Sequence, residues 1–138
     1  MIAALEPTDA QLSAFASADQ TQPIAMLNLL KFRDRAEYTD GRDAGALTGR
    51  DAYGLYAAVA MQKVAEVGGR FFWGAPETAT FIGGDGDDWD MVAIVRYPSR
   101  AAFLEMIDKP DYRAAIPHRD AGLLRTVILD CPGNAIPA

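Results

Sequence analysis

The sequence predicts an α+β domain in which two helices cover one face of a four-stranded antiparallel sheet. After a short N-terminal helix, the segments follow in the order strand, helix, strand, strand, helix, strand. The length of 138 residues matches one domain. Two strand segments are apolar at both alternating sets of positions, which predicts a sheet buried on both faces.

The composition excludes several classes of protein. Half of the residues are hydrophobic and 23% are charged, and no apolar run approaches the roughly 20 residues of a membrane-spanning helix. The net charge of −6 disfavours nucleic acid or an anionic membrane as partner. One cysteine, Cys131, and one histidine cannot complete a disulfide or a structural zinc site, and we expect no cofactor. The N-terminal segment lacks the pattern of a secretory signal, so we expect a cytoplasmic protein.

The N-terminal segment predicts a helix outside the main fold. Thr8 and Gln11 form a capping-box pattern, and apolar residues at helical spacing predict a helix over 9–18. We therefore divide the chain into an N-terminal helical appendage, residues 1–22, and a single domain, residues 23–138.

The next two segments predict a strand and a long loop. Residues 24–33 are too apolar and too short for a surface helix, and Pro23 favours an extended start. Residues 34–48 are rich in charge and glycine and form a longer connection than usual, which predicts a mobile loop that acts as a lid.

A second capping box predicts the long helix of the domain. Thr48 and Asp51 form the box, and Gly68 and Gly69 end the helix, which we place over 50–67. Its predicted inward-facing residues are Tyr53, Tyr56, Ala57, Ala60, Val64 and Val67.

The central part of the chain predicts an antiparallel hairpin. Residues 70–82 have a strand pattern, in which Gly74 and Pro76 indicate a bulge or an edge. Residues 83–88 predict a turn, and residues 89–97 predict the partner strand.

The last third predicts two short helices and a strand. Ser99 caps a helix over 100–107, and Pro110 opens another turn of helix over 110–116. Residues 123–131 predict the final strand.

This order of elements is that of the split βαβ, or ferredoxin-like, plait. The two strands that are apolar on both faces belong to one sheet, and the chain is too short to cover the second face itself. A second copy of the same sheet is the simplest cover, because most soluble oligomers are two-fold homodimers. The sequence therefore predicts a homodimer joined through the sheet faces.

Several motifs resemble one family over about residues 24–131. They are Ile24–Phe32, Gly49–Tyr53 with Tyr56, Gly68–Arg70, Asp88–Asp90, Arg96–Ser99, Phe103, Tyr112 and His118–Arg119. The family that they resemble is described as domain of unknown function 1330. The resemblance implies a dimeric α+β barrel, in a superfamily that also holds cofactor-free monooxygenases, muconolactone isomerases and stress-response proteins. It also implies a ligand pocket between sheet and helices.

Four residues are candidates for the walls of such a pocket. Asn28 lies in the middle of the first strand, where a buried amide must be paired with a ligand oxygen or with local backbone. Tyr53 and Tyr56 share a helix face, where they line a pocket or pack in the core. Trp73 lies beside the predicted bulge and has the same two interpretations.

Two residues are candidates for chemistry at the mouth of the pocket. The pKa range of His118 suits a general base, and Arg119 suits a grip on a carboxylate or enolate oxygen. The alternative is that both lie at a helix end or turn and face water or cap carbonyls. The aspartates of 85–90 do not have the spacing of a calcium loop, and we expect no metal site.

These residues predict a protein that binds a small aromatic or carbonyl-containing molecule between sheet and helices. We assign Asn28 and His118 as catalytic candidates, and Tyr53, Tyr56, Trp73 and Arg119 as ligand-binding candidates. The resemblance adds cofactor-free monooxygenase or isomerase chemistry, although the residues leave open whether the protein is an enzyme. The alternative is a non-catalytic dimeric binding or stress-response module, whose core would be solid and filled by Met26, Phe32, Phe71 and Phe103.

Overall fold

The computed structural model describes residues 5–133. Its elements are α1 Asp9–Ser17, β1 Ile24–Phe32, α2 Gly49–Glu66, β2 Arg70–Ala75, β3 Met91–Tyr97, α3 Arg100–Ile107, α4 Pro110–Gly122 and β4 Leu123–Pro132. The strands form one antiparallel sheet in the order β2-β3-β1-β4, which is the order of the ferredoxin-like plait. The predicted α+β class and four-stranded sheet are confirmed. Parts of the predicted appendage and domain, residues 1–4 and 134–138, lie outside the described residues.

Side-chain caps start three of the helices where the sequence predicts them. The hydroxyls of Thr8 and Thr48 each accept a hydrogen bond from the backbone three residues later, and both capping boxes are complete. Ser99 accepts in the same way from the backbone N–H of Ala102. Each cap stabilises its helix by about 1 kcal/mol, because it pairs a backbone donor that the helix leaves free.

β1 is the central strand, and its two faces meet different surroundings. It pairs with β3 on one side and β4 on the other, so that Asn28 lies opposite both Ala93 and Ile128. Its even-numbered residues face the helices, where Ile24, Met26, Leu30 and Phe32 are buried. The core of the domain lies between this face and α2, α3 and α4.

The other sheet face, which we call the outer face, carries mainly apolar side chains. Strand pairing places on it the odd-numbered residues of β1 and β4 and the even-numbered residues of β3. Its apolar members include Leu27, Leu29, Trp73, Val92, Ile94, Val127 and Leu129. Of these, Trp73, Val127 and Leu129 are exposed. Exposed apolar faces are typical of interaction surfaces in proteins.

The predicted hairpin differs from the observed one. β2 ends at Ala75 and does not extend to residue 82, because Pro76 has no N–H to donate and the chain leaves the sheet there. Residues 76–90, which we call the arm, replace the predicted tight turn. The bulge lies between Phe71 and Trp73, not at Gly74. Gly74 instead leaves room for the ring of Phe71, because a Cβ at this position would lie 2.6 Å from that ring.

α4 also differs from its prediction. The sequence predicts helix only to residue 116, but α4 continues to Gly122 with Pro117 inside it. A proline removes one helical hydrogen bond and crowds the preceding turn. The residues after it, among them Arg119, Ala121 and Gly122, are buried. We infer that packing along this turn outweighs the local cost of the proline.

Two glycines allow three backbones to meet at the start of α2. A Cβ on Gly49 would lie 2.1 Å from the carbonyl oxygen of Arg33, and one on Gly122 would lie 2.4 Å from that of Gly49. At the same place Arg33 N–H donates to Gly122 O at 2.8 Å, and Gly49 N–H donates to Arg33 O at 3.1 Å. We call this contact the glycine junction. It joins the end of β1, the start of α2 and the end of α4.

The glycine junction predicts opposite effects for two glycine-to-alanine changes. Gly122→Ala should lower the free energy of unfolding by about 1–3 kcal/mol, because the added methyl group meets backbone atoms that cannot turn away. Gly54→Ala should raise it by up to about 1 kcal/mol, because this position is an open site inside α2. Urea denaturation of both variants measures the difference. A Gly122→Ala variant as stable as the parent chain would contradict the junction.

Candidate functional site

Three tyrosines form a cluster where α2 packs against α4. The Oη atoms of Tyr56 and Tyr112 lie 2.6 Å apart, so one hydroxyl donates a hydrogen bond to the other. The ring of Tyr53 lies 5.3 Å from that of Tyr56 and 5.4 Å from that of Phe32. Tyr53 and Tyr56 share a face of α2 because they are three residues apart. The tyrosine cluster, Tyr53, Tyr56 and Tyr112, therefore lies between the two helices and the core.

Burial controls the ionisation of this cluster. It raises the pKa of Tyr53 to about 12 and raises those of Tyr56 and Tyr112. The positive charge of Arg119 acts in the opposite direction and lowers the pKa of each of the three phenols, because it favours their ionised form. The hydroxyls remain protonated at neutral pH and can donate hydrogen bonds to an oxygen.

Arg119 is buried, with 8% of its surface exposed. Its Nη1 donates to the carbonyl of Leu5 at 2.7 Å and lies 3.5 Å from Oδ1 of Asp120. That Oδ1 atom is buried without a hydrogen-bond partner within residues 5–133, and burial raises the pKa of the Asp120 carboxyl. A charged arginine is seldom buried without such neighbours. The sequence-predicted residues Tyr53, Tyr56 and Arg119 are thus brought into one region.

Asn28 lies on the helix-facing side of the sheet, as a pocket between sheet and helices requires. Its Nδ2 donates to the backbone carbonyls of Met26, at 3.1 Å, and Ala93, at 3.3 Å. Both donors of the amide are therefore used on the strands themselves. This is the local-backbone alternative of the sequence analysis, and only the amide oxygen remains to meet another group.

Trp73 lies away from the other candidates. The strand register pairs it with Ile94 on the outer face, whereas Asn28, Tyr53 and Tyr56 lie on the helix side. The bulge before Trp73 sets this direction, because an extra residue in one strand shifts which side chains point to each face. The expectation of one pocket wall shared by all four residues is therefore wrong for Trp73.

His118 lies within α4 and contacts the loop of residues 34–48. Its Nδ1 lies 2.6 Å from Tyr38 Oη, and its Nε2 lies 3.4 Å from Nη1 of Arg42. A guanidinium only donates, so Nε2 accepts and Nδ1–H donates to Tyr38. The predicted helix end at 116 is wrong, because α4 continues to Gly122, and His118 lies inside the helix close to its C-terminal end. His118 instead joins the loop to the helix.

Backbone contacts hold the same loop against α4. Glu37 N–H donates to Ala121 O at 3.0 Å, and Ala36, which donates to Leu47 O, is buried. Sequence reasoning missed the parts played by Tyr38 and Tyr112. The position of Tyr112, one turn into a helix opened by Pro110, was an available signal for its inward direction. The lid remains a prediction.

Two open clefts lie outside the tyrosine cluster. One of about 360 Å³ lies where β1 ends and α2 begins, and one of about 700 Å³ lies between α1 and the α3–α4 corner. The smaller is lined by Phe32, Arg33, Asp34, Thr48, Arg50 and Asp90. Within residues 5–133 no group of three or more His, Cys, Asp or Glu side chains is arranged to hold a metal. None of the described helices is long and apolar enough to cross a membrane.

The topology and the packed helix layer define an α+β protein of ferredoxin-like fold. A family model, described as Domain of unknown function (DUF1330), matches residues 44–130. The chain belongs to this family, and the predicted resemblance is confirmed. No curated protein is significantly similar to the chain.

Several solved structures resemble this one. RPA0582, a protein of unknown function from Rhodopseudomonas palustris, is 34% identical with a TM-score of 0.87, over 98% of this chain and 99% of that one. A structure of methylated RPA0582 is 36% identical with a TM-score of 0.86, over 96% of each chain. A protein from Arabidopsis thaliana is 14% identical with a TM-score of 0.52, over 83% of this chain and 99% of that one. The last likeness concerns the fold alone.

The contact of His118 with the loop predicts a dependence on pH. Burial and the charge of Arg42 lower the pKa of His118 below its ordinary value of 6.5. Its stabilising effect is therefore complete above pH 6.5 and declines as the pH falls through the lowered pKa. The melting temperature of the parent chain should exceed that of His118→Gln at pH 7.5, and by less at pH 5. The same difference at both pH values would contradict the assigned contact.

Proposed function

We propose that the protein is a homodimeric α+β barrel that binds a small organic molecule between the sheet and the helices. The observation that carries the ligand is the buried Arg119, which lies on the same face of α4 as Tyr112 of the tyrosine cluster, seven residues further along the helix. The observation that supports the dimer is the apolar outer face of the sheet. The cytoplasmic location expected from the sequence remains a prediction.

The outer face supports a dimer because its apolar side chains need to be covered, and an identical sheet face can cover them. Leu27, Leu29, Val92 and Ile94 lie at its centre, on the two inner strands, and Leu129 lies on an edge strand. A water-facing antiparallel sheet carries polar residues at such positions. A second copy presents the same surface about a two-fold axis, so one apolar face covers the other.

The tyrosine cluster and Arg119 support a ligand with an acceptor oxygen. Burial raises the pKa of Tyr53 to about 12, so its Oη stays protonated and can donate a hydrogen bond to a ligand. A phenol donor beside a buried guanidinium suits a carboxylate, enolate or carbonyl oxygen. The rings of Phe32, Tyr53 and Tyr56 provide an apolar wall for a flat carbon skeleton.

Proton-transfer chemistry at this place would use Asp120 in preference to His118. Burial shifts the pKa of the Asp120 carboxyl upward, in the direction of neutral pH, and its Oδ1 lies 3.5 Å from Nη1 of Arg119. His118 has both ring nitrogens engaged by Tyr38 and Arg42. This assignment retains the cofactor-free isomerase or monooxygenase chemistry that the family resemblance implies, with a different base.

A non-catalytic binding module is the second candidate function. The observation that favours it is that groups predicted for catalysis are already engaged, the Asn28 amide with strand carbonyls and His118 with the loop. Of the four residues expected to fill a solid core, Met26 and Phe32 are buried and Phe103 packs against the core, whereas Phe71 is exposed. The core is thus largely but not entirely filled as the module requires.

The dimer predicts that a charge on the outer face separates the two copies. Leu129→Asp should give monomers, because the carboxylate would be buried without a partner. Leu55→Asp is the matched control, since Leu55 is equally exposed, 46% against 47%, but lies on α2. Sedimentation equilibrium of the parent chain and both variants measures the state. A monomeric parent chain would contradict the dimer.

The ligand site predicts a binding defect for the loss of one hydroxyl. Tyr53→Phe keeps the ring and should weaken binding about tenfold, which corresponds to one hydrogen bond to a charged group. Tyr38→Phe is the control, because Tyr38 belongs to the loop and its hydroxyl contacts His118, outside the tyrosine cluster. A panel of aromatic carboxylates and ketones is tested by ligand-induced shifts in melting temperature, followed by titration calorimetry.

Two outcomes of this panel oppose the ligand proposal. Equal affinity of the parent chain, Tyr53→Phe and Asn28→Ala for a compound that binds would place its site elsewhere. A panel in which no compound raises the melting temperature would favour the non-catalytic module.

A further inference from the structure

We infer that the arm, residues 76–90, docks on a second copy of this chain, with Phe81 and Ile82 against Phe72 of that copy. This inference rests on the proposed homodimer and adds to it a particular contact. Phe81 and Ile82 have 96% and 87% of their surfaces exposed, which is more than any other large apolar residue described. Exposed neighbouring apolar side chains of this size indicate an interaction site.

The arm is a built structure that presents these two side chains. The Oγ1 of Thr80 donates to Asp87 O at 2.8 Å, and Gly84 N–H donates to Asp87 Oδ2 at 2.8 Å. These bonds join its two sides around the tip. Phe81 and Ile82 are therefore held outward by a folded tip.

The arm leaves the sheet on the side of the outer face. Lys31 and Arg125 are paired on that face, at the end where β1 finishes. Lys31 Nζ lies 3.0 Å from a carboxylate oxygen of Asp88, and Arg125 donates to Gly86 O at 2.5 Å and stacks on the ring of Trp89. The root of the arm is thus fixed to the surface that the proposed dimer covers.

The opposite end of the outer face carries a complementary patch. The bulge in β2 leaves Phe72 54% exposed, with the guanidinium carbons of Arg96 and Arg70 at 5.4 and 6.0 Å from its ring centre. Arg96 and Arg70 are paired on the outer face. An exposed aromatic ring with two arginines beside it suits an apolar side chain that has acidic residues close to it.

The arm brings this charge. Asp85 and Asp87 lie at its exposed tip, close in sequence to Phe81 and Ile82. If the strands of the two sheets run in opposite directions across the dimer, each arm lies over the Phe72 end of the other copy. The alternative arrangement would place the two acidic arm ends against each other, at an electrostatic cost. Charge complementarity therefore selects the second copy, in the opposed orientation, as the occupant of this patch.

The length of the arm permits the contact. Ile82 is the seventh residue after Ala75, and an extended chain of seven residues reaches about 23 Å. Two packed sheets lie about 10 Å apart. The tip can therefore cross the space between the sheets and reach the outer rim of the second copy.

The first test replaces the two exposed apolar side chains. Phe81→Ser combined with Ile82→Ser should weaken dimerisation at least tenfold in sedimentation experiments, with an unchanged circular dichroism spectrum. Leu55→Ser is the control, because it removes an exposed apolar side chain on α2. An unchanged dimer constant in the double variant, while Leu129→Asp dissociates, would overturn the arm contact and leave the homodimer standing. A parent chain that is monomeric would overturn both.

The second test exchanges charges and does not depend on the apolar contact. Asp85 and Arg70 are both exposed. Asp85→Lys and Arg70→Glu should each weaken the dimer, and the two together should restore it, because the charges then attract again. Additive weakening in the combined variant would overturn the proposed pairing of the arm tip with the Phe72 patch.

Discussion

The backbones of β1, α2 and α4 touch at the glycine junction, and the positions of the other parts follow from that contact. Gly49 and Gly122 let α4 lie against α2 at a distance that no other residue would allow. Along this antiparallel helix pair, Tyr56 reaches Tyr112 and Arg119 comes near Tyr53. The loop of residues 34–48 is held by the same helix end. A wider helix separation would remove the tyrosine contact and open the core to water.

The polar side chains between the sheet and the helices form hydrogen bonds in three different ways. Asn28 donates to the strands that surround it, Tyr56 and Tyr112 bond to each other, and Arg119 donates to the carbonyl of Leu5. In the first two arrangements the donors bond to groups within the sheet or the helix pair. The third places a permanent charge in the core, and this difference sets the Arg119 region apart from the rest of it.

Local signals predicted most of the fold. The capping boxes at Thr8 and Thr48 located two helix starts because they depend on a few neighbouring residues. The apolar pattern of β1 and β3 likewise indicated strands inside the sheet, and both are its central strands. Two features depended on distant contacts and were not predicted: helix continues through Pro117, and the bulge turns Trp73 to the outer face. The end of β2 at Ala75 has a local cause, Pro76, which the sequence analysis interpreted only as a bulge or an edge.

The same distinction applies to the candidate site. The three-residue spacing of Tyr53 and Tyr56 predicted a shared helix face, and their contact follows from it. The interactions of His118 with Tyr38 and Arg42 join residues about 80 positions apart, so no local sequence pattern predicts them.

The position of β4 at the edge of the sheet has a separate consequence. Its apolar segment Val127–Leu129 lies on an edge strand, where unpaired backbone groups can template aggregation. The ion pairs of Arg125 with Asp88 and of Arg100 with Asp130 place charges at both ends of that segment, where they act as gatekeepers against edge-to-edge fibre growth.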